Sequence, residues 1–206
     1  MNAEPVKRRA YDSPERRAAA QATRQRICEA AAEFFVGRGY ARTSIHAVAV
    51  AAGVSDATVY LAFKNKAALL DACILAAIGE ARGSANVHAA PPAEALVRFA
   101  EVHAAVMARA APLIAIGEGA AAMDADLRPL QERAHDGLRT MMLAIADRLD
   151  EAGLLRAGLA PTAAAATMFA VASDATFLRW VESSGEAGDG YAAWLADTLG
   201  RLVLRG

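Results

Sequence analysis

The sequence predicts an all-α fold: a small N-terminal three-helix domain built around a helix-turn-helix, followed by a larger helical body. Three observations lead there. The 206 residues are 55% hydrophobic but only 6% aromatic. Ala, Leu, Glu and Arg abound, residues that lose little rotamer freedom in a helix, and no stretch alternates as a Val/Ile/Thr strand would. Apolar residues recur at spacings of three and four between Ser, Gly and Pro punctuation. Charge is also divided unevenly along the chain. Residues 1–70 carry eleven Lys/Arg against six Asp/Glu, whereas residues 71–206 carry eleven against seventeen. A basic front and an acidic body suggest that only the front meets a polyanion.

Residues 1–20 are polar and contain Pro5 and Pro14, which predicts a flexible or partly helical arm. A first helix is expected from Thr23 as N-cap, with Ile27, Ala30, Ala31, Phe34 and Phe35 on its apolar face and Gly37-Arg38-Gly39 ending it. Ser44 caps a second helix that buries Ile45, Val48, Ala49 and Ala52 and stops at Gly53. Ser55 caps a third, to about Phe63. Asn65 caps a fourth, with Leu69, Leu70, Cys73, Ile74 and Ala77 inward, long enough to join two domains.

Residues 83–92 read as a loop. A helix is expected from Pro92 to about Ala110, with Leu96, Phe99, Val102, His103, Val106 and Met107 on one side. Pro112, Gly117 and Gly119 interrupt the apolar segment over 111–124, leaving it without a helix assignment. A long helix spans about 126–152, with Pro129 tolerated in its first turn and Gly153 closing it. Two final helices are expected at about 162–183 and 191–204, separated by the SSGEAGDG linker. The domain division that follows is 1–20 for the arm, 21–66 for the helix-turn-helix domain and 67–206 for the body.

The stretch that carries chemistry runs from Thr43 to Phe63. Ala49 is small where two helices cross, Gly53 supplies the turn, Val54 fills the angle between them, and Val59 and Phe63 anchor the second helix. Ser55, Asp56, Ala57, Thr58 and Tyr60 are left facing outward at its N-terminal end, the end that enters the major groove in a helix-turn-helix. Free backbone N–H groups and the helix dipole suit phosphate there. Thr43 and Ser44 are placed for another phosphate, and Tyr60, Lys64 and Lys66 for backbone oxygens beyond. Asp56 has two readings: accepting from a cytosine amine, or stabilising the helix N-terminus, the latter preferred. The arm residues Lys7, Arg8 and Arg9 suit a minor groove and equally a solubilising tail.

These residues resemble the DNA-binding region of tetracycline-repressor-like (TetR family) regulators. The run AGVSDATVYLAFKNKAALL follows that family's pattern through Val48, Ala49, Ala52, Gly53, Val54, Ser55, Thr58, Val59, Tyr60, Phe63, Lys66 and Leu69, with Ser44 where threonine is usual. The resemblance covers about a quarter of the chain. It implies a transcription regulator, usually a repressor, with a C-terminal domain that binds a small molecule and dimerises through its last two long helices.

The body offers its own indications. Thr162, Ala166, Phe169, Ser173, Thr176 and Trp180 fall on one stripe; Tyr191, Trp194, Leu195, Thr198, Leu199, Leu202 and Val203 form another. Such a pair can build a four-helix interface across a two-fold axis, or simply an internal core. A dimer presenting two recognition helices reads enough DNA to be specific. Phe99, His103, Met107, Met123, His135, Met142 and Phe169 come from the helices expected around a ligand pocket, and their lining favours an apolar or aromatic effector.

Enzyme chemistry finds little foothold. His46, His88, His103 and His135 show no metal-ligand spacing, and no GxSxG elbow or P-loop occurs. No cofactor is expected. The two cysteines, Cys28 and Cys73, lack CxxC spacing, and no secretory signal or membrane-length apolar run is read, so a cytoplasmic regulator without membrane partner is expected. The expected partners are double-stranded operator DNA, a second copy of the chain and a small-molecule effector; the alternative is a helix-turn-helix regulator with no small-molecule effector, controlled by a protein partner.

Overall fold

The computed structural model describes residues 14–82 and 90–205, and their elements are helical throughout. In order they are α1 (Pro14–Arg38), α2 (Ile45–Ala52), α3 (Asp56–Phe63), α4 (Lys66–Arg82), a 3-10 turn at Pro92–Glu94, α5 (Ala95–Ala120), α6 (Arg128–Glu151), α7 (Pro161–Val171), α8 (Asp174–Ser184) and α9 (Asp189–Val203). An antiparallel bridge between Leu155 and Leu204 fastens the chain end to the α6–α7 loop.

The first helix begins at Pro14, not at Thr23. Proline suits a first helical position, and the following ERRAAAQ contains good helix formers with no cap residue to interrupt them. The arm residues Lys7, Arg8 and Arg9, and His88, lie outside the described residues.

Two further boundaries differ from expectation. Helix α5 runs through Pro112 and on to Ala120, absorbing the segment without an assignment. Proline costs one helical hydrogen bond. Burial of Ala110, Ala111, Leu113, Gly117 and Ala120 along the same helix offsets it. By length and composition residues 92–120 could cross a membrane. Here α5 is the central helix, packed by α4, α8 and α9. Conversely, the single helix expected over 162–183 is two. The chain leaves helical geometry at Ala172, and Ser173 restarts it by accepting the Thr176 N–H at 3.1 Å.

Two cores result. One gathers Ile27, Phe35, Val48, Val59, Phe63, Leu69, Leu70 and Cys73 under α1–α4 and takes in Leu113, Ala120 and Leu127 from the body. The other, under α5–α9, holds Phe99, Met142, Ile145, Leu149, Met168, Tyr191, Leu195 and Leu199. Helix α4 serves both: Ala77 packs against each, and Ile78 and Ala81 against the second. The α5–α6 loop adds polar ties. Tyr40 donates its hydroxyl proton to Asp124, and Asn65 Nδ2 donates to Asp126 Oδ2 at 2.7 Å.

Candidate functional site: a helix-turn-helix face and a cavity behind it

Local capping shapes the helix-turn-helix. Ser44 Oγ accepts the Ala47 N–H at 3.1 Å, and Ser55 Oγ accepts the Thr58 N–H at 3.2 Å. Asn65 Oδ1 does the same for Ala68 at 2.8 Å. Gly53 stands at φ 67°, where other residues are strained, and its neighbour Val54 donates to Ala49 O at 3.0 Å. These are the caps expected from the residues themselves.

Helix α3 is held from behind. Val59 and Phe63 are buried in the first core. The Arg24 guanidinium lies 4.3 Å from the Phe63 ring centroid and donates to the Ala62 carbonyl. On the opposite side Ala57, Tyr60, Leu61 and Lys64 are exposed at positions i, i+3, i+4 and i+7, a single helical face. Leu61 is 88% exposed, an unusual position for a large apolar side chain. Sequence reading passed over it, although its offset from Ala57 and Tyr60 places it in the outward set. Asp56 is tied to His46 Nδ1 at 3.1 Å, which links α3 to α2. Its carboxylate thus already has an intramolecular partner.

Two residues expected on phosphate are placed otherwise. Thr43 is only 2% exposed, and its hydroxyl donates to Gly39 O at 2.9 Å. It locks the turn between α1 and α2 and does not reach outward. Lys66 Nζ donates to Tyr40 O at 3.0 Å and lies 4.3 Å from the Tyr40 ring centroid. The ammonium is a second donor to a loop carbonyl that also accepts the Thr43 N–H at 3.3 Å, and it ties α4 to that loop. Thr58 is half-buried, its hydroxyl 2.9 Å from Ser55 Oγ. Ser44, Ser55, Ala57, Tyr60 and Lys64 remain outward.

Lys64 is also the one described non-glycine residue at positive φ, with φ 59° and ψ −54°. The Asn65 N–H closes back on Phe63 O at 2.6 Å. Together these define a γ-turn of the rare, strained kind. It aims the Lys64 side chain away from the core at the exposed end of α3.

Behind the domain lies a cavity of about 550 Å³ between α4, α5, α6 and the α7–α8 corner. Phe99, His103, Met107, His135 and Phe169 line it, as expected, and so does Ser173. Two expected members do not. Met123 is 71% exposed on the α5–α6 loop, and Met142 is wholly buried in the second core. Sequence reading missed the contribution of α4, whose Leu70, Asp71, Ile74 and Ile78 form one wall. Their i, i+4 spacing was visible, but the same spacing served equally for the first core.

His103 is the most deeply placed polar side chain lining the cavity, 6% exposed. Its Nε2 lies 3.2 Å from Ala172 O, the carbonyl freed by the break between α7 and α8. A carbonyl only accepts, so Nε2 carries the proton. Burial depresses the imidazole pKa to about 4, against the smaller opposing effect of that hydrogen bond. The ring is thus neutral at pH 7, and Nδ1 is buried with no hydrogen-bond partner among the described residues.

The residues expected at a dimer interface divide. Tyr191, Leu195 and Leu199 are fully buried within their own chain, so they cannot touch a partner. They fill the space between α9 and α5, because that stripe of α9 faces the central helix. Phe169 and Ser173 turn into the cavity wall. Thr176, Trp180 and Trp194 line a shallow surface groove on α8 and α9, the two indoles stacked with centroids 4.7 Å apart. Leu202 is 37% exposed on α9.

Residues 27–73 match the family described as "Bacterial regulatory proteins, tetR family". No curated protein sequence matches the chain. The fold is shared with solved structures along nearly its full length. One is NalD, the secondary repressor of the MexAB-OprM multidrug efflux pump in Pseudomonas aeruginosa, 22% identical over 91% of this chain and 98% of that one, TM-score 0.70. Another is the transcriptional regulator FadR from Bacillus subtilis in complex with stearoyl-CoA, 24% identical over 88% and 98%, TM-score 0.69. A third is the SmeT–triclosan complex, 24% identical over 90% and 93%, TM-score 0.68.

Proposed function

Starting from a chain that is a TetR-family DNA-binding regulator, we propose that it is a cytoplasmic, homodimeric repressor released from its operator by a small, largely apolar ligand. The observation that carries this reading is the double duty of α4. Its Leu69, Leu70 and Cys73 belong to the core that supports the helix-turn-helix, and its Leu70, Asp71, Ile74 and Ile78 line the cavity. A ligand that pushes on this wall moves the base of the recognition helix. It shifts DNA affinity by its differential affinity for the two arrangements.

In this reading residues 21–66 contact DNA and residues 67–206 bind effector and dimerise. Ser44 and the α3 N-terminus at Ser55 take phosphates, while Ala57, Thr58, Tyr60 and Leu61 meet base edges, Leu61 offering an apolar contact for a thymine methyl. Lys64 takes a phosphate beyond. Thr176, Trp180, Trp194 and Leu202 supply contacts between protomers. The ligands in the triclosan and stearoyl-CoA complexes of similarly folded proteins have large apolar portions, in keeping with the apolar walls here.

The test is binding of the purified protein to its own upstream DNA across a salt series, with random DNA as control. Preference for the upstream DNA by a dimer, lost on adding an apolar ligand, is the expected result. No preference there or for any genomic fragment would overturn the reading.

Lys64→Gly separates fold from function. Glycine relieves the γ-turn, so thermal unfolding should show a gain of about 0.5–1 kcal/mol. Binding to every DNA sequence should weaken, with the salt slope falling by about two because each dimer loses two phosphate contacts. An unchanged slope would remove Lys64 from the contact set.

A further inference from the structure

The polar groups around the cavity are predominantly acceptors. Among the described residues, Asp71, Glu118 and Asp174 line it where it meets solvent, against one permanent cation, Arg133, and the imidazole of His135. Arg133 is directed electrostatically at Asp71, and His135 Nε2 lies 3.6 Å from Glu118 Oε1. Asp174 adds a second negative charge facing Glu118. Deeper in, His103 lines the cavity on a residue only 6% exposed, and its buried Nδ1 lone pair has no hydrogen-bond partner among the described residues. Gln131 Nε2 likewise has no partner among the described residues, and its amide can present either an oxygen or an NH₂ group. The remaining walls are Leu70, Ile74, Ile78, Phe99, Met107 and Phe169.

We propose that the effector is a lipophilic cation, an aromatic or aliphatic body carrying one N–H-donating ammonium head. The inference rests on the reading of this cavity as an effector site. A carboxylate group removed from water without a counter-charge is costly, and a buried acceptor without a donor forfeits its hydrogen bond. An ammonium ligand supplies both the missing charge and the missing donor. The carboxyl pKa values agree: Glu118 is raised first by burial and then by Asp174, and Asp71 is raised by burial against the lowering effect of Arg133. Glu118 thus faces a like charge, and the three lining carboxylates outnumber Arg133 among the described residues. The same groups repel an anion of equal shape, so discrimination comes as much from repulsion as from attraction.

A matched set tests this: 9-anthracenylmethylammonium, 9-anthracenylmethanol and anthracene-9-carboxylate share one fluorescent tricyclic body and differ in charge. They are titrated by fluorescence against the full-length protein without DNA. The ammonium should bind at least about tenfold more tightly than the alcohol, and the carboxylate most weakly, for partly exposed carboxylates at the rim. The double variant Glu118→Gln, Asp174→Asn should bring the ammonium down to the alcohol's affinity and leave the alcohol's unchanged. Alcohol binding equal to ammonium, tightest binding of the carboxylate, an ammonium affinity insensitive to the double variant, or no binding of any of the three overturns the proposal. Release of operator DNA is measured separately. Charge-selective binding without release upholds the cationic site and sinks the ligand-released repressor reading.

Discussion

Tyr191→Ala is expected to destabilise the protein by about 3–5 kcal/mol, lowering the thermal midpoint by roughly 6–20 °C. Tyr191 is among the largest fully buried side chains. Its ring packs edge-on against Phe177 at 4.9 Å and lies 5.6 Å from Trp194 and 5.8 Å from His103, centroid to centroid. Truncation empties the joint between α5, α8 and α9, which cannot collapse because three helices hold it open. Tyr191→Phe should behave oppositely. The hydroxyl is buried with no partner among the described residues, and burial alone pushes its pKa upward. Removing it should leave stability within about 1 kcal/mol of the parent, or raise it. A Phe variant that loses more than about 2 kcal/mol would mean that the hydroxyl is hydrogen-bonded. The alanine deficit should also be the same at high and low protein concentration, whereas that of an interface residue would grow on dilution.

His103 should make the protein acid-sensitive. Its folded pKa is about 4 against an ordinary 6.5, depressed chiefly by burial. Between those values the unfolded chain binds a proton that the folded chain refuses, so stability rises with pH through that window. Acidifying from pH 6.5 to 4 should therefore cost on the order of 3 kcal/mol from this group. His103→Gln keeps a donor for Ala172 O and an acceptor at the cavity but cannot titrate in this range. Urea unfolding at several pH values should show the parent losing that stability relative to the variant, and the two curves should run parallel above pH 7. Parallel curves through the whole window would mean that the imidazole is hydrated or otherwise able to charge in the fold. Because the His103 ring lines the cavity and packs against Tyr191 in the core behind it, the two experiments probe one packing unit from its ligand side and its core side.

Much of the helix-turn-helix was legible from residues alone. Ser44, Ser55, Asn65 and Gly53 act within four residues of themselves, so a cap or stop follows from the residue type and its immediate neighbours. Helical periodicity likewise located Val59 and Phe63 in the core and Tyr60 outside it. The all-α class and the long α4 joining both parts followed from composition and apolar spacing.

Other features depended on groups far apart in sequence. Ala172 leaves the helix, and its carbonyl meets His103, sixty-nine positions earlier; no local signal announces that partner. Thr43 and Lys66 carry residue types suited to phosphate, yet Gly39 and the Tyr40 loop claim them first. The stripe of Tyr191, Leu195 and Leu199 is apolar whichever surface it meets, and only the position of α5 makes it internal to one chain. Met123 and Met142 have the same side chain, one exposed on a loop and one sealed in a core. Periodicity and capping are short-range properties of a backbone, and the sequence states them directly. Which apolar face finds which neighbour, and which polar atom is left without one, depends on how α4 through α9 pack, a choice made among contacts that the order of residues does not contain.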